Sequence, residues 1–276
     1  MRTPVYQHII ATARQSVLLF DDITLDEIRK YLEYSQHETG GFKDRAGKPD
    51  LYYSLFGMWS AFALDEQEAL NRLRPWIETR KIEKYQSVIE MACLFMIRRS
   101  LGMKGSGTIL FRLVTQLVSK SKNISPYYRL FIGLLLMDTL FPTLATLKWP
   151  GRKKLLKKAE GMTSSCTEAA AALAVLAASG TNTMALQEKV LAFFDEKTGF
   201  RAFHGKRDGD MLSTAAALFA LRFSGSDLRP ITPACLDFLG RNYSEGVFLP
   251  GDGDPETDME YTFYGLLAAG SLSKIH

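Results

Sequence analysis

Residues 51–64 read LYYSLFGMWSAFAL, fourteen positions without a charge. Residues apolar on nearly every side of a helix mark a helix buried all round rather than one lying on a surface. Five more segments read the same way: 85–97 (YQSVIEMACLFMI), 127–140 (YYRLFIGLLLMDTL), 165–179 (SCTEAAAALAVLAAS), 211–223 (MLSTAAALFALRF) and 259–272 (MEYTFYGLLAAGSL). Between them fall six segments with a charged stripe, at 25–35, 67–80, 108–120, 151–159, 184–194 and 233–242. One extra helix, at 4–19, precedes the series. No run of alternating, β-branched residues marks a strand.

Six buried helices alternating with six amphipathic ones predict an all-α fold, with the buried set as an inner ring and the amphipathic set outside. No single hairpin covers its own apolar face, so neighbours must stack, as in helical-repeat proteins. An open solenoid satisfies the same alternation. Closure is favoured because neither terminal pair reads as a polar cap. The expected result is an α/α toroid of six helical hairpins over 24–276, with residues 1–23 packing on it. Small residues such as Ala169–Ala172 and Ala215–Ala217 permit close approach near the axis.

The connections are unequal. Those entering inner helices are long at 37–50, 195–210 and 244–258, whereas the reverse connections, such as Asp65-Glu66, are short. Long loops carry function more often than short ones. These three should share one rim, beside the N-termini of the inner helices.

Each long loop carries a glycine–phenylalanine element followed by an aspartate just before an apolar helix. Gly40-Gly41-Phe42 precedes Pro49-Asp50, Gly199-Phe200 precedes Asp208-Gly209-Asp210, and Gly246-Val247-Phe248 precedes Thr257-Asp258. This rhythm resembles the β subunits of protein prenyltransferases and terpene cyclases of the squalene–hopene type. The segment GGFKDRAGKPDLYYSLF resembles the part of that family that binds an isoprenoid diphosphate and a zinc ion. The resemblance implies Arg45, Lys48 and Tyr53 as diphosphate donors, a chemistry suited to a polyanion beside a helix N-terminus. It also implies Asp50 as a zinc-binding aspartate. The family's cysteine and histidine ligands fall at Tyr52 and Tyr261, so Asp50 alone remains of the roughly three protein ligands a catalytic zinc requires. Cys166 or His204 can substitute only if the fold brings them near. No cofactor is expected, zinc included.

The site expected from this resemblance has Asp50, Asp210 and Asp258 as candidate catalytic carboxylates, with Arg45, Lys48, Tyr52, Tyr53, His204 and Tyr261 binding substrate. Asp208-Gly209-Asp210-Met211 and Asp252-Gly253-Asp254-Pro255 approach the acidic motif of class II cyclases without completing it. In Asp21-Asp22-Ile23-Thr24, helix capping by Thr24 or Asp22 explains the acidic pair better than metal binding. Three bland readings stand beside these. The basic loops read equally as solvated surface, the aromatics of the inner helices as core filling, and the rim aspartates as N-caps. A carboxylate pair in a carbohydrate-active toroid is a further option, though no spacing selects a pair.

Composition narrows the classes. A net charge of +4 over 276 residues is too small to argue for nucleic acid. Three scattered cysteines form no disulfide or zinc framework and fit a cytoplasmic protein. The most apolar stretch, 130–137, is cut by Asp138 and Pro142 well short of the ~20 residues a membrane span needs. The expected ligand is an isoprenoid diphosphate or another lipid-like small molecule. A non-catalytic scaffold holding a peptide or protein partner is the alternative.

Overall fold

The computed structural model describes residues 3–81, 87–104, 106–118, 132–133, 135–136, 138–140, 153–154, 157–158, 161, 163–251 and 253–273. Helix α1 (Val5–Arg14) runs into a 3₁₀ turn, Gln15–Leu18. Then follow α2 (Asp22–Ser35), α3 (Leu51–Leu64), α4 (Gln67–Glu78), α5 (Val88–Ser100) and α6 (Ser106–Val118). After the sparsely described stretch come α7 (Cys166–Ala178), α8 (Met184–Leu191), α9 (Met211–Phe223), α10 (Thr232–Arg241) and α11 (Met259–Leu272). The expected inner segment 127–140 is described as helix only at scattered positions from 132 onward, and most of the outer segment 151–159 lies outside the described residues, as do Tyr127, Tyr128 and Phe131.

The inner helices are in register around an axis. Helix α9 packs on α7 and α11, and α11, the last, packs on α3, the first. Helix α3 in turn packs on α5, so first and last apolar helices are neighbours and the chain closes on itself. Beyond α5, the Thr139 Oγ1 lies 3.9 Å from Met96 Sδ, which joins the fourth inner segment to the second inner helix. Leu173, Leu218, Leu266, Met58 and Leu94, from five inner helices, are fully buried. Helices α4, α8 and α10 bury one stripe only, as amphipathic outer helices should.

The glycine–phenylalanine elements fold as small hairpins, two of them with short strands. β1 (Phe194–Asp195) pairs antiparallel with β2 (Gly199–Phe200), and β3 (Tyr243–Ser244) with β4 (Val247–Phe248). Two-residue strands are too short to produce a readable alternation, which is why periodicity showed no strand. The first loop makes the equivalent turn through single bridges, Gln36 to Phe42 and Lys43 to Pro49. In each hairpin the phenylalanine is buried against an inner helix. The Phe42 N–H donates to Ser54 Oγ at 2.8 Å and the Phe200 N–H to Thr214 Oγ1 at 3.1 Å, each acceptor on the fourth residue of its helix. The Asp50 and Asp210 N–H groups return to the carbonyls of Phe42 and Phe200 at 2.9 and 3.0 Å.

Helix α1 lies across the opposite end. Its first N–H, of Val5, donates to Asp138 Oδ2 at 2.5 Å. His8 packs on Phe223 at the end of α9, with ring centroids 5.1 Å apart. The Thr12 carbonyl sits where a Cβ on Gly270, near the end of α11, would lie 1.9 Å away. Arg14 reaches Asp65, just past α3, at 3.5 Å. The C-terminal ends of α3, α9 and α11 thus face α1, and the loop-bearing rim is at the other end.

Several boundaries differ from the sequence reading. Helix α2 starts at Asp22 because Asp21, not Thr24 or Asp22, is the cap; its carboxylate accepts the Thr24 N–H at 2.8 Å. Helix α8 ends at Leu191, since Phe193 and Phe194 turn into the second hairpin.

Candidate functional site

The rim is joined by hydrogen bonds among the three long loops. The Met211 N–H donates to the Pro250 carbonyl at 2.7 Å, and Asp210 bridges to Gly251, tying the second loop to the third. Arg45 ties the first loop to the third. Its Nε and Nη2 donate to Asp258 Oδ2 at 3.0 and 2.8 Å. The Asp258 side chain is 2% exposed and that of Arg45 46%, so a buried carboxylate holds a guanidinium that still meets solvent. The other oxygen of Asp258 caps α11, accepting the Tyr261 N–H at 3.0 Å.

All three rim aspartates are N-caps. Asp50 Oδ1 accepts from the N–H groups of Tyr52 and Tyr53 at 2.7 and 3.2 Å. Asp210 Oδ2 accepts from the Ser213 N–H at 2.7 Å and from the Ser213 hydroxyl. Burial pushes the Asp210 carboxyl above its ordinary range despite those two donors.

Just inside the rim lies a cluster of phenols and a carboxylate. The Tyr52 hydroxyl donates to Glu260 Oε1 at 2.5 Å, joining the first turns of α3 and α11. Tyr264 bonds the same carboxylate from one turn further along α11. Burial pushes Glu260 up to about 7, aided by the Asp258 charge, while the two tyrosines and Arg45 oppose the rise. Burial and the neighbouring Glu260 carboxylate push Tyr261 up to about 12. Burial also raises Tyr53, which feels both Asp258 and Arg45.

Behind this cluster, α3 and α11 form an aromatic wall. Tyr52, Phe56 and Trp59 fall at helical spacing on one face of α3. Phe56 contacts the Tyr52, Phe263 and Tyr264 rings with centroids 5.0, 5.7 and 5.3 Å apart. Trp59 contacts Phe263 at 5.4 Å. Such tilted and edge-to-face pairs suit ring quadrupoles.

The remaining expected residues lie at the periphery. Lys48 is exposed, on a turn whose backbone is fixed by Asp44, which accepts the Lys48 N–H at 2.8 Å. His204 is exposed and stacks on Phe193 with centroids 4.0 Å apart. In the same loop Arg201 is paired to Asp195. Asp252 lies outside the described residues.

A zinc ion does not fit these side chains. Asp50 spends one oxygen capping α3, and phenols stand where the family's cysteine and histidine ligands fall. Among the described residues no group of three or more His, Cys, Asp and Glu side chains is arranged to hold a metal. Cys166 is buried with its Sγ 3.7 Å from the Ser213 carbonyl, and His204 is engaged with Phe193. Cys93 and Cys166 both have their thiols pushed well up by burial, the reverse of what a thiolate ligand needs.

The pairing of Tyr52 with Glu260 was not foreseen as part of the site. Tyr52 is among the residues expected at the site, Glu260 is not, and 208 residues separate them. Only closure of the ring makes them neighbours.

Among the described residues no helix is long and apolar enough to cross a membrane. No curated protein sequence matches the chain. The prenyltransferase alpha-alpha toroid domain matches residues 11–91 and 160–276, the larger part of the chain and all three glycine–phenylalanine loops. With its closed ring of inner helices and its repeated rim hairpins, the chain belongs to the prenyltransferase alpha-alpha toroid domain family.

Proposed function

We propose that this toroid binds an isoprenoid diphosphate, or a lipid-like molecule of the same build, at the loop-bearing rim. The diphosphate lies against Arg45, Lys48 and Tyr53, and the apolar tail runs down the aromatic wall of Phe56, Trp59 and Phe263. The observation that carries this reading is the Arg45–Asp258 pair. A guanidinium has five N–H donors, and Asp258 engages only Nε and Nη2. The pair holds the guanidinium at the lip of the ring instead of leaving it on a mobile side chain. Donors already ordered cost less to recruit, and a bidentate cation suits a phosphate. If prenyl transfer occurs here, these donors stabilise the departing diphosphate while an acceptor attacks the allylic carbon.

Calorimetric titration with farnesyl and geranylgeranyl diphosphate tests the reading, with inorganic diphosphate and farnesol as half-ligand controls. The whole ligand should bind, and each half should bind much more weakly. Arg45→Ala should weaken binding about tenfold or more, the worth of one charge-assisted hydrogen bond. Failure of the whole ligand to bind, or binding indifferent to both Arg45→Ala and Lys48→Ala, counts against the reading.

A second reading is a toroid that holds a peptide or protein partner without catalysis. The phenols at Tyr52 and Tyr261, in place of metal-ligating side chains, favour it. Turnover of an allylic diphosphate rules it out.

A further inference from the structure

We propose that Glu260, held between Tyr52 and Tyr264, is the proton acceptor for prenyl transfer in this chain. This rests on the reading that an isoprenoid diphosphate binds at the rim.

The geometry points to Glu260 in three ways. It stands on the first turn of α11, two residues beyond the aspartate that fixes Arg45, so the acceptor's proton and the leaving diphosphate are served from one helix terminus. It is the carboxylate at the rim whose described partners are phenols rather than backbone N–H groups. Asp50, Asp210 and Asp258 are committed as N-caps, and Asp258 also to Arg45. Finally, it sits where the aromatic wall begins, since Tyr52 and Tyr264 each also touch Phe56. An allylic carbon whose tail lies on that wall and whose diphosphate lies on Arg45 falls beside this carboxylate.

The step balances without a co-reactant beyond the acceptor. The acceptor's X–H bond breaks and its electron pair forms the X–C1 bond. The C1–O bond breaks, its electrons leaving with the diphosphate, and the proton passes to Glu260. Zinc would activate an acceptor by lowering its pKa, whereas a carboxylate poised near neutrality removes the proton as the bond forms. The titration depends on the groups facing Glu260 from each element. They are Tyr52 and Tyr53 on α3, Arg45 on the first loop, Cys93 on α5, and Asp258, Tyr261 and Tyr264 on α11 itself. Arg45 and the two hydrogen-bonding tyrosines favour the charged form. Burial and the Asp258 charge oppose it.

The test uses the full-length protein, farnesyl diphosphate as substrate and water as acceptor, with diphosphate release and farnesol formation followed from pH 5.5 to 8.5. The wild-type rate should rise through about pH 7 and level off. Glu260→Gln should cut the rate about 100-fold or more and abolish that rise, with affinity for farnesyl diphosphate unchanged within about threefold. Tyr52→Phe keeps the ring packing but removes one donor, so it should move the rise to higher pH. Thermal melting checks that each variant folds, and Glu260→Asp, which keeps a carboxylate, should retain part of the rate. Wild-type protein that binds farnesyl diphosphate but releases no diphosphate overturns the proposal, as does Glu260→Gln with a wild-type rate or pH profile. Both results leave the binding reading standing. Absence of binding by the wild type removes that reading, and the role of Glu260 with it.

Discussion

Asp258 does two things with two oxygens. One caps the last inner helix and the other orients Arg45 from the first loop. Replacing it with alanine removes both and should cost about 2 kcal/mol of stability, mostly the lost cap. Asp258→Asn retains a capping oxygen and should cost less. Urea denaturation of the two variants distinguishes them. Glu260 predicts the opposite dependence from an ordinary salt-bridged carboxylate. Its folded form holds the proton up to about pH 7, while the unfolded chain releases it near 4.5. The group therefore contributes fully below about pH 4.5, and that contribution is lost as the pH rises to about 7, at most ~3 kcal/mol in all. Asp210, raised in the same direction, adds to the slope. Urea midpoints should fall between pH 5 and 7.5 in the wild type, and less steeply in Glu260→Gln. Equal slopes would contradict the assignment. At this scale the sequence was informative about residue types and poor about partners. Arg45, Lys48 and Tyr53 stood out through a resemblance, and the rim aspartates as candidate catalytic carboxylates with capping as the competing reading. Their pairing across the ring could not be read, because 213 residues separate Arg45 from Asp258 and local periodicity says nothing of such contacts.

The hairpin elements depend on a glycine in the inner helix opposite each of two buried phenylalanines. A Cβ on Gly57 would lie 2.3 Å from the Phe42 ring, and one on Gly265 would lie 2.1 Å from the Phe248 ring. Either alanine must push the ring out, so Gly265→Ala and Gly57→Ala should each cost about 2–3 kcal/mol despite their better helix propensity. Gly107→Ala, with open space at the position, is the control and should be neutral or stabilising. Melting temperatures of the three variants check this. Helix existence was the most legible feature of the chain, since helices buried all round leave long uncharged runs. Ends were less so. Thr24 and Asp22 read as caps where Asp21 is the one that caps, and Phe193–Phe194 continues the apolar rhythm of α8 while its backbone already belongs to a hairpin.

For the whole molecule, ring or solenoid depends on whether the first and last apolar helices meet. They do, through the packing of α11 on α3, while Arg222 ties the neighbouring α9 to the end of α11 by donating to the carbonyls of Gly270, Ser271 and Ser273. The alternation of helix types allowed either a ring or a solenoid, and no local residue decides between them. Closure follows from complementary apolar faces at the two chain ends. It also creates two unlike rims, one carrying the loops and one covered by α1. The functional account requires that a ligand enter at the loop-bearing rim and lie along the axis. A farnesyl diphosphate analogue with a photoreactive group near its tail tests that most directly, with the crosslinked peptides identified by mass spectrometry. The account predicts adducts on the wall peptides that contain Phe56, Trp59 and Phe263, suppressed by unlabelled farnesyl diphosphate. Competed adducts confined to the outer helices α4, α8 and α10 would contradict it.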